Sequence, residues 1–283
     1  MPRYDLAGRT VLITGSTGGL GTALARALRD RGARLALLDL DGDLAQRQAT
    51  DLGPETTARG WAADVRDLAG LRSATDAAAA HFGRLDVVVA GAGVGSMAPL
   101  ETLDPEAWER VVDINLSGVW RTFRAALPHV KRHRGYLLAV SSMAAFVHSP
   151  LNGPYVASKA GVWALCDATR LELRHEGVGV GSAHPTFFKT PMLDDVHADP
   201  AGAALGRQRE RFVEDGSPRQ GCGRRRDRIR APVPHDRRPA PPGPGRPNSG
   251  ARAPACRPVG FRGTTIPDAI ARSTPAGWIS RAR

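Results

Sequence analysis

The chain has little cysteine, and its three residues, Cys166, Cys222 and Cys256, lie far apart. Such spacing excludes a disulfide framework and offers no paired metal ligands, so no metal site is expected. Long apolar runs are also missing. The opening residues, MPRYDLAGRTVLITG, hold no stretch fit for a signal peptide, and nothing approaches the length of a membrane span. A reducing, soluble, cytoplasmic setting without membrane contact is expected.

A charge balance is lacking as well, but only at one end. The formal net charge is +11. Residues 217–283 hold 15 Arg, no Lys and 3 acidic residues, which makes +12, so residues 1–216, with 24 basic and 25 acidic side chains, sum to −1. The same tail holds 12 of the 22 prolines. It has too little apolar surface to offset the entropy of ordering and is expected to be disordered. It also lacks aromatic interleaving and any folded nucleic-acid motif, so nucleic acid is not an expected partner. Two origins stay open: an out-of-frame translation of a GC-rich gene, or a genuine basic tail that binds acidic partners.

What is present in residues 1–216 is an alternation of apolar strands and helices. VLIT (11–14), RLALLDLD, WAADV around Asp64, LDVVVAGAG (85–93), YLLAVSS (136–142) and VGVGSAH (178–184) read as six strands. Helical segments separate them at 20–31, 67–82, 104–130 and 155–176, the third opening on Asp104 and Pro105. Continuous apolar strands between helices predict a parallel sheet covered on both faces, a doubly wound α/β fold.

The first strand-to-helix turn, TGSTGGLG, carries Gly15, Gly19 and Gly21. Glycines there allow a tight turn and bring backbone amides up to a diphosphate at a helix N-terminus. Asp39 ends the next strand, where a carboxylate can accept from both hydroxyls of an adenosine ribose and repel a 2′-phosphate. No Arg or Lys occupies positions 16–20, and Leu40 follows Asp39. NAD(H) is therefore expected in preference to NADP(H), and residues 1–216 form a dinucleotide-binding domain.

Further along, Ser142 precedes Tyr155, and Lys159 lies one helical turn beyond it. A free phenol ionises near pH ~10, too high for proton exchange at neutral pH. A nearby ammonium should lower that value, and a hydroxyl could hold a substrate oxygen against the phenol.

In this order and spacing the residues resemble the short-chain dehydrogenase/reductase family over about residues 6–215. Thr14–Gly21 is similar to its cofactor loop, and Ser142, Tyr155 and Lys159 to its catalytic residues. The resemblance implies a Rossmann-like domain and an NAD(P)(H)-dependent enzyme that interconverts a secondary alcohol and a ketone. Tyr155 would be the general acid/base, and Asn115 would kink its helix and complete a proton relay to Lys159. Cofactor contacts are implied for Gly15, Thr17, Gly19, Leu20, Gly21, Asp39, Asp64, Val65, Ala92, Gly93, Tyr155, Lys159, Pro185 and Thr190. A homodimer or homotetramer and a small, fairly apolar alcohol or ketone are expected.

The chain departs from the family pattern in Ala90-Gly91-Ala92-Gly93, in Pro185-Thr186, and in lacking a recognisable seventh strand. That last departure leaves a catalytically impaired nucleotide-binding protein as an alternative. Cys166 reads as a packing residue and His148 as a surface-loop residue. Trp108, Trp120 and Trp163 read as core or interface, and Phe187, Phe188, Met192 and Leu193 suggest an apolar lid.

Overall fold

A computed structural model describes residues 5–186. Thr190, the suggested lid, the position of a seventh strand and the Arg/Pro-rich tail lie outside the described residues. Six strands run as β1 (Thr10–Thr14), β2 (Arg34–Asp39), β3 (Ala58–Ala62), β4 (Val87–Ala90), β5 (Tyr136–Val140) and β6 (Gly179–Ala183). Between them lie α1 (Gly19–Arg29), α2 (Gly42–Leu52), α3 (Leu68–Phe82), α4 (Pro105–Val112), α5 (Gly118–Arg132) and α6 (Gly153–Leu173).

The strands form one parallel sheet in the order β3-β2-β1-β4-β5-β6. Alternation along each strand feeds two cores. On one face Leu12, Val88 and Leu137 meet Leu71, Phe123, Val162 and Cys166 of α3, α5 and α6. On the other, Val11, Ile13, Val89 and Leu138 meet Leu24, Ala25 and Leu28 of α1. The strand order reverses between β1 and β4, so the crevice beyond their C-terminal ends is where such a sheet receives ligands.

Charge and capping fix the opposite edge and the helix starts. Buried Asp86 accepts from Arg9 at 3.2 Å, from Arg84 and from the Thr10 amide at 2.9 Å. Burial alone would raise its pKa, but the Arg84 and Thr10 bonds outweigh it and hold the carboxyl below its ordinary value. Asp41, Asp67 and Asp104 cap α2, α3 and α4 through side-chain oxygens. Among the described residues β6 is an edge strand. The ring of Tyr136 lies over its glycines, and a Cβ at Gly179 or Gly181 would strike that ring.

Two details differ from the sequence reading, and a third gives the kink implied at Asn115 its form. Helix α2 was not anticipated, because its buried face is only Ala45 and Ala49, too faint an apolar period to see. The third strand is Ala58–Ala62 rather than a run through Asp64. Gly60 permits this, since a Cβ there would collide with the Gln46 backbone of α2. The long helix from Pro105 is broken by a π-helical turn at Asp113–Ser117. No helix among the described residues is long and apolar enough to cross a membrane.

Candidate active site

The glycine loop leaves β1 at Thr14. Gly15 has φ +68°, and a Cβ there would lie 2.7 Å from the Ala92 Cα, so the loops after β1 and β4 touch only because the side chain is absent. Gly21 packs on the Gly15 carbonyl with equally little room. Gly91 adds its amide to Thr14 Oγ1 at 3.2 Å. This bond ties the two loops together. Gly18 precedes α1 and gives it no side-chain cap, and both Gly18 and Gly19 are exposed. An uncapped helix start fronted by exposed glycine fits a diphosphate.

Asp39 stands beside this loop. Its Oδ2 accepts from the Thr17 amide at 3.0 Å and the Thr17 hydroxyl at 2.8 Å, and its Oδ1 accepts from the Leu40 amide at 2.8 Å. The carboxylate is thus fixed, with acceptor capacity to spare for ribose hydroxyls. Asp64 is held by Arg66, whose Nε lies 3.0 Å from both carboxylate oxygens. That bond lowers its pKa against the opposing effect of burial. Val65 is buried against Gly118 at the start of α5.

The catalytic candidates converge behind the β4 loop. Asn115 is fully buried on the π-helical turn. Its Oδ1 accepts from the Val94 amide at 2.8 Å, and its Nδ2 donates to the Val94 carbonyl at 2.9 Å and to Ser158 Oγ at 3.2 Å. Lys159, one turn after Tyr155 on α6, donates from Nζ to the Val140 carbonyl at 2.8 Å. A Cβ at Gly93 would lie 3.2 Å from Asn115 Oδ1 and 3.4 Å from Lys159 Nζ, so Gly93 keeps this corner open. Ser142 Oγ accepts from the Ala144 amide at 3.1 Å and stands close enough to the Tyr155 phenol to pull its pKa down. Pro185 closes the β6 end, its carbonyl accepting from the Met143 amide at 3.0 Å.

The electrostatics correct one expectation. The Lys159 ammonium, 5.6 Å from the Tyr155 ring centroid, does not draw the phenol down. Burial raises the Tyr155 pKa, opposed only by the nearby Ser142 hydroxyl. Lys159 is itself buried, and desolvation lowers it from 10.5 to about 8. The pair therefore holds a protonated phenol beside a lysine that titrates close to neutral pH.

Cys166 is buried, its thiol pushed up to about 12, as suits a packing residue. His148 is exposed. Trp108, Trp120 and Trp163 are 39 %, 48 % and 40 % exposed, which corrects the core alternative for all three. The sequence reading missed Ser158, Arg66 and the Val140 carbonyl as partners. A backbone carbonyl leaves no trace in side-chain identity, and Ser158 sits beside Lys159 with no spacing signal of its own.

Residues 9–201 match the short chain dehydrogenase family profile. A D-threitol dehydrogenase of Mycolicibacterium smegmatis is 36 % identical over 204 residues, which cover 71 % of this chain and 78 % of that enzyme. The crystal structure of a 3-ketoacyl-(acyl-carrier-protein) reductase from Brucella melitensis complexed with NADH superposes with a TM-score of 0.64 at 31 % identity, covering 67 % of this chain and 79 % of that one. An alcohol dehydrogenase from the archaeon Thermococcus sibiricus complexed with 5-hydroxy-NADP gives a TM-score of 0.59 at 32 % identity, over 63 % and 76 % of the two chains. With its parallel sheet, glycine loop and ordered Asn, Ser, Tyr and Lys, the chain belongs to the short-chain dehydrogenase family of NAD(P)-dependent oxidoreductases acting on CH–OH groups.

Proposed function

We propose that the protein interconverts a secondary alcohol and a ketone, with Tyr155 as general acid/base. The observation that carries this reading is the convergence of the Ser142 hydroxyl on the Tyr155 phenol, with buried Lys159 one turn further along the same helix. Ser142 holds the substrate oxygen against the phenol. In reduction the carbonyl carbon gains hydride, and the carbonyl oxygen takes the Tyr155 proton. In oxidation the alcohol proton passes to Tyr155. A phenol kept protonated by burial is already in the form that donates to a ketone oxygen. Lys159 would hold the nicotinamide ribose, and Asn115 secures the β4 loop beside it.

A nicotinamide dinucleotide, when bound, supplies or accepts the hydride. Gly15, Thr17, Gly19, Leu20 and Gly21 would hold its diphosphate, Asp39 its adenosine ribose, and Asp64 with Val65 its adenine. Ala92, Gly93, Lys159, Pro185 and Thr190 would lie along its nicotinamide half. The solved relatives carry NADH in one case and an NADP derivative in the other. The choice thus rests on Asp39, whose fixed carboxylate favours NAD(H) by repelling a 2′-phosphate. The substrate is a small, fairly apolar alcohol or ketone, and the working assembly is a homodimer or homotetramer in the cytoplasm.

The test is NADH oxidation across a broad ketone panel, with Tyr155→Phe as control. The wild type should reduce at least one ketone, and Tyr155→Phe should lose about 10²–10⁴-fold in kcat while binding NADH equally well. Wild-type turnover of no ketone, or a Tyr155→Phe enzyme as fast as the wild type, would overturn the reading.

A further inference from the structure

We infer that His184 is a positioning residue, which fixes Ser142 against Tyr155 from the end of β6. The inference rests on the catalytic reading of Ser142 and Tyr155 given above. The segment after β5 is sewn to the segment after β6. The Ser141 amide donates to the Ala183 carbonyl at 2.8 Å, and the Met143 amide donates to the Pro185 carbonyl at 3.0 Å. These two bonds flank Ser142, whose own carbonyl accepts from the Ala145 amide at 3.0 Å and, from a second side, faces the side chain of His184, whose Nδ1 lies 3.2 Å away. On the other side of the ring, Nε2 lies 2.9 Å from Ser182 Oγ.

The tautomer follows from these partners. A carbonyl only accepts, so Nδ1 carries the hydrogen, and Nε2 accepts from the Ser182 hydroxyl. Burial lowers the pKa of the ring and keeps it neutral, which suits this arrangement. The charges acting on it, Asp167 and Lys159, both come from α6. The ring is 9 % exposed and packs on Phe146 with centroids 4.8 Å apart, while Phe146 lies 4.7 Å from Trp163. An imidazole clamped on three sides allows Ser142 little main-chain freedom. The Ser142 hydroxyl, set by that main chain, is the group that stands against the phenol and pulls its pKa down.

Side-chain geometry separates this role from simple packing. His184→Asn keeps a donor at the δ position, His184→Gln moves the amide out to the ε position, and His184→Leu keeps apolar bulk without a donor. His184→Asn should retain kcat within about threefold, whereas His184→Gln and His184→Leu should lose roughly 10–100-fold, with NADH affinity unchanged. A readout independent of turnover is the ultraviolet titration of Tyr155. The chain has only three tyrosines, and the Tyr155→Phe difference spectrum isolates one of them. Because the nearby Ser142 hydroxyl pulls the phenol pKa down, His184→Leu should raise it by about half a unit or more, and His184→Asn should not. Equal titration in all variants, or equal kcat for the Asn and Leu forms, overturns the inference. If His184→Leu does not fold, Ser182→Ala, which removes the donor to Nε2, must show the same upward shift. Inactivity of the wild type would count against the proposed reaction alone, since the titration still decides the role of His184.

Discussion

At the scale of single residues, Lys159 has the most measurable chemistry. Its folded pKa of about 8 lies below the ordinary 10.5, so between those values the unfolded chain binds more protons. Stability should rise as pH climbs from about 8 to 10.5, and the full penalty is present below 8. Lys159→Met should therefore stabilise the protein at pH 7 by up to about 3 kcal/mol, an advantage that shrinks toward pH 10.5. Urea unfolding at several pH values measures this. The same titration should appear in catalysis, as a loss of kcat/KM for ketone reduction above pH about 8. A second residue-scale expectation concerns Thr17, which presents both its amide and its hydroxyl to Asp39. Thr17→Val removes one of those bonds and should narrow the proposed preference for NADH over NADPH several-fold in equilibrium binding.

Elements show what the sequence could and could not disclose. The glycine loop, Asp39 and the Tyr155–Lys159 pair were legible because each depends on a local spacing that the fold preserves. Helix α2 was not, because two alanines make its whole buried face. The lowering of the Tyr155 pKa by Lys159 failed as an expectation because spacing along a helix places two groups on one face but does not report their burial. The break at Asp113–Ser117 is a further case. Three side-chain hydrogen bonds of Asn115 tie that turn to Val94 and Ser158, and only the family resemblance hinted at it. Asn115→Leu, which strands the Val94 amide and carbonyl and Ser158 Oγ, should cost on the order of 2–4 kcal/mol and raise the KM for cofactor. Thermal unfolding and NADH titration would show both effects.

For the molecule as a whole, opposite edges of the sheet divide the labour. The C-terminal edge holds the glycine loop, Asp39 and the Tyr155 cluster, and the N-terminal edge is locked by Asp86 with Arg9 and Arg84. Because the Asp86 pKa lies below its ordinary 3.8, its contribution is complete above that value and is lost as pH falls through the folded pKa. Asp86→Asn should destabilise the protein by on the order of 2–4 kcal/mol at pH 7, with a difference that fades in acid, as denaturant titrations at pH 7 and pH 3 would report. The NADH affinity of that variant, measured where it remains folded, should match the wild type.

The glycines of β6 lie beneath the ring of Tyr136, and the strand brings few side chains of its own to hold it on the sheet. Hydrogen–deuterium exchange should therefore find β6 among the first strands to open. Since the Ser141 and Met143 amides bond to the Ala183 and Pro185 carbonyls, those two protons should exchange together with the strand. Each such opening would momentarily release Ser142 from its place beside Tyr155, so the lifetime of β6, the edge strand among the described residues, sets how often the proposed site is assembled.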